Sequence, residues 1–471
     1  MPLRFVLRAA AVVVALLLVL RVVGAPAASP ALGYIAKVTC SQVFVGGLSP
    51  RDAVAELPKL AVTKLIRTTV DESAGRVRAS VPLIAVREAR HHAGLGCTLV
   101  PTDGERQAFP SMPPVAARND SLDALPWPEG DRPLAQLPAE IDPVRLDSAL
   151  TRAFREPATG ERNTRAIVVV HRGRIVAERY APGFDATNRY PGWSMTKSVG
   201  SALVGALVRE GKLSLDMNDL FAAWRTPGDK RAAITLRQML WMSDGLAADE
   251  SYAPTGGATK LLFGSRDIAA TAVRASSAKE PGSTWYYSSA TSNLIAQLVR
   301  DSVGGTLEHY LEFPRRALFD KLGMHSAVME PDATGLFVAS SFMYATARDW
   351  ARFGQLYLQD GVWNGERILP EGWVEFSRRP APAAPLGEYG GQWWLNAGAA
   401  NDSTKRAFPL LPRELYYASG FEGQTVAVIP SRDLVVVRLG LSRPDDAYDL
   451  SELIGGVLEA ITVSAVVPPR D

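Results

Sequence analysis

Two hairpin patterns stand at opposite ends of one long stretch of this chain, and together they narrow its fold more than any other feature. Ile167-Val168-Val169-Val170 and residues 175–180 flank the turn His171-Arg172-Gly173-Arg174, and residues 424–429 and 434–439 flank Pro430-Ser431-Arg432-Asp433. The stretch between them is mostly helical in pattern. A helix is predicted near 142–156, with Asp142 as its cap and Pro143 in its first turn, and another from about 446 to 462. Early and late strands around a helical middle imply an α+β domain. One antiparallel sheet is built from both ends, flanked by helices, with a helical subdomain inserted. A pocket is expected where sheet and subdomain meet.

The 471 residues are too many for one small core and suit two or three domains. Residues 1–30 read as a signal peptide or an N-terminal membrane anchor. Arg4 and Arg8 precede the apolar run 9–20, and Arg21 and an A-x-A-like Ala25-Pro26-Ala27 follow it. The run is shorter than the roughly 20 residues of a spanning helix, and Arg21 lies oddly between run and cleavage site, so both readings stand. Residues 31–98 form a small α/β module. Its helix starts at Ser49-Pro50, its apolar face continues through Ala53, Val54 and Leu57, and Pro58 ends it; Val77, Ala79 and Val81 alternate as in a strand. Residues 99–140 are a Pro-rich connector wrapped on the next domain, which is 141–471. The chain is thus expected to be exported: periplasmic, secreted, or held to the membrane by its first segment. In that setting two cysteines, Cys40 and Cys97, are expected to form a disulfide worth about 4 kcal/mol in the chain-entropy model. Lipidation of Cys40 is disfavoured by its distance from the apolar run.

Chemistry concentrates in Gly192-Trp193-Ser194-Met195-Thr196-Lys197, which opens an apolar helical run. Residues three apart share a helix face, so Lys197 can reach the Ser194 hydroxyl. Serine needs an adjacent base to attack, and a lysine shielded from water loses charge readily. The pair also arises by chance: Ser276-Ser277-Ala278-Lys279 has the same spacing but runs into Glu280-Pro281-Gly282, a turn. Downstream, Tyr287-Ser288-Ser289 follows a tight turn and precedes a second apolar helix. Later, Ala418-Ser419-Gly420-Phe421 leads into a strand pair.

These three elements, in this order, resemble the serine β-lactamase and penicillin-binding protein superfamily, whose signature is S-x-x-K, Y-x-N or S-x-N, then K-T-G. The segments 234–246 and 340–354 are similar to parts of its class C-like members, and the likeness spans about 140–465. The nearest branch is that of family VIII esterases and 6-aminohexanoate-dimer hydrolase. The resemblance implies a β-lactamase/transpeptidase-like fold and an acyl-enzyme mechanism. In that scheme Ser194 is the nucleophile and Lys197 its base or charge partner. Tyr287 is the proton shuttle, its hydroxyl pKa lowered by Lys197, and Ser289 is a partner of Lys197 or substrate. Gly420 lets substrate approach the strand, and the backbone N–H groups of Ser194 and Phe421 form the oxyanion hole. Tyr286 points away, Gly423-Gln424 is structural, and Trp393 or Trp394 is a candidate for the cleft wall.

Two departures separate the chain from antibiotic-resistance enzymes. Ser289 stands where Asn is expected, and Ala418 where the K-T-G lysine, an anchor for substrate carboxylate, belongs. Losing such a cation removes on the order of 1.5–3 kcal/mol of charge-assisted bonding; Arg413 or another arginine from a neighbouring loop is the alternative source of charge. The expected function is hydrolysis of a small-molecule ester or amide. A β-lactamase or D,D-peptidase is the enzymic rival, and a non-catalytic penicillin-recognising module the rival from another class. The five histidines have no ligand spacing, so no metal or other cofactor is expected, and no G-x-S-x-G elbow supports a Ser-His-Asp enzyme. A net charge of +2 gives no case for nucleic acid. Nothing in the sequence sets the oligomeric state.

Overall fold

The computed structural model describes residues 24–58, 65–102, 108–110, 112, 124–132, 134–444 and 447–461. The basic start and apolar run of the leader reading, residues 4–21, lie outside these. No helix among the described residues is long and apolar enough to cross a membrane.

The chain begins with helix α1 (Ala25–Phe44), then α2 (Pro50–Ala55), where the Ser49 side chain accepts the Asp52 N–H as predicted. Strands β1 (Arg67–Asp71), β2 (Arg76–Val81), β3 (Ala85–His92) and β4 (Gly96–Leu99) form an antiparallel sheet in sequential order. Val77 and Ala79 of β2 are fully buried, which is the alternation visible in the sequence. Helix α1 starts inside the segment read as leader and runs on into the small module, packing against β2, β3 and β4. From Pro30 to Val43 nearly every residue is buried, including Lys37. A helix buried all round has no apolar stripe for periodicity to reveal. Cys40 on α1 is bonded to Cys97 on β4, with Cα atoms 6.0 Å apart.

The larger domain opens with α3 (Pro143–Phe154), capped by Asp142, whose carboxylate accepts the N–H groups of Val144 and Arg145. Strands β5 (Thr164–His171) and β6 (Arg174–Tyr180) form the first hairpin. Short strands β7 (Tyr190–Pro191), β8 (Val328–Met329) and β9 (Met343–Ala345) make a small second sheet. Between β7 and β8 lies the helical subdomain, with α4 (Thr196–Arg209), α5 (Leu236–Leu240), α6 (Gly257–Gly264) and α7 (Ser289–Val303). Then come α8 (Ala347–Leu358), β10 (Trp394–Leu395), β11 (Tyr416–Gly420), β12 (Gln424–Ile429), β13 (Leu434–Gly440) and α9 (Leu450–Ala460).

The main sheet is antiparallel, in the order β10-β11-β12-β13-β5-β6. The last long strand therefore pairs with the first, Val437 opposite Val168. Both faces are covered, which explains the unbroken Val/Ile runs. Ile167, Val169, Ala427 and Val436 face α3 and α9, while Val168, Val170, Val426, Val435 and Val437 belong to the central core. Both predicted hairpins and both flanking helices are present within a few residues of their expected ends. Connector residues 126–132 lie on the domain: Trp127 is buried, and Arg352 donates to the carbonyls of Pro128 (3.0 Å) and Gly130 (2.7 Å).

Candidate active site

Ser194 sits in a single 3-10 turn, Trp193–Met195, that leads directly into α4. The turn is held between core and sheet. Trp193 takes a left-handed backbone (φ +46°), a conformation that costs a non-glycine residue about 1 kcal/mol or more and concentrates at functional sites. Gly420 of β11 explains what keeps the turn in place. A Cβ there would lie 2.1 Å from the Gly192 carbonyl oxygen, so only glycine lets the strand close on the nucleophile turn. Gly420 also lines the cleft, where its role as room for substrate was expected; its close approach to the Gly192 backbone is a second constraint on the same residue.

Lys197, one turn into the helix, is almost fully buried. Its ammonium lies 3.1 Å from Ser194 Oγ, 3.2 Å from Ser289 Oγ and 2.9 Å from the Ser340 carbonyl, and 4.7 Å from the centre of the Tyr287 ring. No carboxylate is bonded to it among the described residues. Loss of solvation lowers its pKa to about 8, and the Glu250 charge holds it up against a further fall. Tyr287 is half-buried, its ring packed against Trp394 and Tyr389 (centroids 5.3 and 5.7 Å). The neighbouring Ser194 hydroxyl favours its ionised form. The expectation of a lowered tyrosine pKa is wrong in direction. Burial raises it, the bond to Ser194 opposes that, and Glu250 adds to the rise. Tyr287 is therefore a phenol at neutral pH, a donor and not a base.

Ser289 begins α7, just after the cap residue Ser288. Its hydroxyl (2.6 Å) and N–H (2.7 Å) both donate to the carboxylate of Glu250, which also accepts the Tyr252 hydroxyl (2.7 Å). The Tyr252 oxygen lies 3.1 Å from Ser289 Oγ. Sequence reasoning missed Glu250 and Tyr252. They lie in a polar loop after α5, and only the fold carries that loop over the site. Asn293, four residues along α7, donates to the Ser289 carbonyl and Ser340 Oγ, which fixes the wall behind Lys197.

Strand β10 pairs only with Tyr416 and Tyr417, so the far end of β11 is open to the cleft. Ser419, Gly420 and Phe421 line it there, together with Ser194, Tyr287 and Trp394. Phe421 is 44% exposed and meets Trp193 edge-on, with centroids 5.8 Å apart. Of the two candidate tryptophans, Trp394 reaches the cleft and Trp393 is core, stacked on Phe353. Tyr286 points outward, and its oxygen accepts the Glu250 N–H. Gln424 spans β12 and β13, giving a bond to the Gly440 carbonyl and taking one from the Gly440 N–H.

Ala418, at the missing lysine, is completely buried, and Arg413 does not replace the charge. The Arg413 guanidinium binds the Ala397 carbonyl (2.7 Å) beside a different cavity. Among the described residues that line the cleft, which encloses about 530 Å³, there is no Lys, Arg, Asp or Glu. Ser276 and Lys279 are exposed loop residues, as their turn predicted. Among the described residues no cluster of His, Cys, Asp or Glu is arranged to hold a metal ion.

A two-sided antiparallel sheet, an inserted helical subdomain and a serine-lysine pair at a helix start between them define the class of serine hydrolases related to penicillin-recognising enzymes. The family model described as Beta-lactamase matches residues 150–454, well over half of the chain, and the chain belongs to that family. The 6-aminohexanoate-dimer hydrolase of Paenarthrobacter ureafaciens is 27% identical over 338 residues, covering 67% of this chain and 82% of that enzyme. Among solved structures, a family VIII carboxylesterase superposes with a TM-score of 0.54 at 14% identity (70% of this chain, 98% of the other). A penicillin-binding protein homologue from Caulobacter crescentus does so with 0.51 at 15% (69% and 99%). These two likenesses establish the fold.

Proposed function

We propose that this protein is an exported serine hydrolase that cleaves an ester or amide of a small molecule through an acyl-enzyme on Ser194. The observation that carries the proposal is the Lys197 ammonium, buried 3.1 Å from Ser194 Oγ with its pKa brought down to about 8. A sizeable fraction of the lysine is then a free amine near neutral pH, able to take the Ser194 proton as Oγ attacks the carbonyl carbon. The carbonyl oxygen becomes an oxyanion received by the backbone N–H groups of Ser194 and Phe421. The leaving oxygen or nitrogen takes a proton from the Tyr287 hydroxyl, which Lys197 replenishes. Water, deprotonated by the Lys197 amine, then releases the acid.

The choice of ester or amide over β-lactam rests on the described lining of the cleft, which is uncharged, and on the buried Ala418 at the position of the missing lysine. The relatedness to 6-aminohexanoate-dimer hydrolase and the fold shared with a family VIII carboxylesterase are consistent with it. Export to the periplasm or beyond, with or without retention of the N-terminal segment as an anchor, is supported by the apolar run 9–20 and the Cys40–Cys97 bond. The decisive experiment is fluorophosphonate labelling followed by turnover of p-nitrophenyl esters, short amides and a chromogenic cephalosporin. Ser194→Ala is expected to abolish labelling and turnover. A cephalosporin kcat/KM above that of p-nitrophenyl butyrate would overturn the substrate choice.

A further inference from the structure

The catalytic serine does not share its cleft with the hydrolase domain alone. Ala31, Tyr34 and Ile35 of α1 line the same 530 Å³ space, as do Pro58 and Ile66 from the rest of the small module. Beside them, Leu262 and Phe263 of α6 line the same space. The wall reaches the nucleophile itself. The Tyr34 ring is nearly parallel to that of Trp193, the residue before Ser194 (8°, centroids 6.4 Å), and edge-on to Phe263 (5.2 Å). We infer that the N-terminal module builds an apolar subsite, continuous with Ser194, that receives an uncharged hydrocarbon chain on one side of the scissile bond.

The inference rests on the hydrolase reading of Ser194 and deepens it. Three observations carry it. First, this wall is built into the fold and does not swing like a lid. A Cβ on Gly33 would lie 2.2 Å from the Phe263 carbonyl oxygen, so α1 and α6 touch backbone to backbone. Lys37 of α1 makes a buried ion pair with Glu330 of the hydrolase domain, and Arg165 pairs with Glu56 at 2.5 Å. The Cys40–Cys97 bond ties α1 to its own sheet. Second, the described side chains that line the cleft from the module are aliphatic, proline or aromatic, and the described lining as a whole is uncharged. A charged substituent would be stripped of water against these residues with no counter-charge among them. Third, the volume falls in the range that holds a drug-sized ligand and far exceeds what an acetyl group needs. Each methylene moved from water into such a surface is worth about 0.8 kcal/mol, about fourfold in kcat/KM.

The test uses the full protein and two substrate series: p-nitrophenyl alkanoates from acetate to decanoate, and acetate esters of straight-chain alcohols of the same lengths. The first places the chain on the acyl side and the second on the alcohol side. A rise in kcat/KM of about fourfold per methylene in either series, levelling where the subsite is full, is expected. Ala31→Phe, at a half-buried position on the cleft face, should lower the octanoyl-to-acetyl ratio about tenfold (or the octyl-to-ethyl ratio, if the alcohol series responds). A measurement that needs no variant is the rate of Ser194 labelling by alkyl fluorophosphonates, expected to climb with chain length. Flat profiles in both series, with Ser194 still labelled and essential, would overturn the subsite and leave the hydrolase reading intact. Absence of labelling and ester turnover would remove both. An unchanged chain-length ratio in folded Ala31→Phe also counts against the subsite.

Discussion

Two lysines are buried among the described residues, in different company. Lys37, on α1, is paired with the fully buried carboxylate of Glu330, donates to Ser41 Oγ (2.9 Å) and lies 4.2 Å from the centre of the Phe342 ring. Glu330 in turn accepts the Ser41 hydroxyl (2.8 Å) and the Cys97 N–H (2.7 Å). Every charge there has its counterpart, and the set binds the small module to the hydrolase domain. Lys197 has two hydroxyls, a carbonyl and an aromatic face, with no bonded carboxylate among the described residues. Burial lowers the pKa of both lysines, but Glu330 pushes back directly on Lys37, whereas Glu250 acts on Lys197 through the Ser289 hydroxyl between them. Direct pairing opposes the loss of charge that burial drives and ties the lysine into the structure. Holding the carboxylate one hydroxyl away leaves an amine that can take a proton.

The largest effect expected from this contrast is at Lys197. Lys197→Met should lower kcat for ester hydrolysis by about 10³-fold or more, because nucleophile and base act as a unit. The same change should not destabilise the protein. Lowering the pKa from 10.5 to about 8 means that the folded state disfavours the ammonium by on the order of 3 kcal/mol. That penalty is present in full below about pH 8 and fades as the pH rises toward 10.5, where the unfolded chain also loses its proton. Urea titration at pH 7 should therefore find Lys197→Met equal to or more stable than the parent; a marked loss would break the comparison.

Lys37→Met should do the reverse. It leaves Glu330 buried without its cation, and a loss of about 3–5 kcal/mol in unfolding free energy is expected. Joint replacement, Lys37→Met with Glu330→Gln, should recover much of it by the same measurement. A smaller effect sharpens the role of distance. Lys197 must be neutral to accept a proton, so kcat/KM should rise through pH 8. Because the Glu250 charge supports the ammonium, Glu250→Gln should move that limb to lower pH, read from a pH–rate profile. An upward shift would contradict the electrostatic account. The smallest effect belongs to the second Ser-x-x-Lys. Its residues are exposed, so Ser276→Ala should leave ester turnover within about twofold.

That decoy also marks how far the sequence could be read. Ser194 and Ser276 carry identical spacing, and the difference was legible because one precedes an apolar helix and the other a Glu-Pro-Gly turn. The sheet was legible too, since long valine runs and turn residues report strands by composition alone. What escaped was decided by packing. The direction of the Tyr287 pKa depends on a burial that three residues of local sequence cannot express. Glu250 and Tyr252 are unremarkable members of a polar loop until the fold lays them on Ser289. Helix α1 gave no amphipathic signal because the small module and α6 enclose it on several sides. The Ala418 position was recognised as missing its lysine, but only the structure reveals that no cation is among the described residues lining the cleft.

The pairing of β13 with β5 has a kinetic consequence. These strands are central in the sheet, yet Val437 meets Val168 only after some 270 residues have intervened. Until residue 440 or so has been synthesised, β5 lacks a neighbour on one side and its valine face has nothing to close against. The catalytic domain therefore cannot complete its core as it emerges. Its folding is a late event, dominated by the closure of one long loop, and an incomplete chain displays an unpaired apolar strand. In that interval the exposed apolar strand is a site for aggregation.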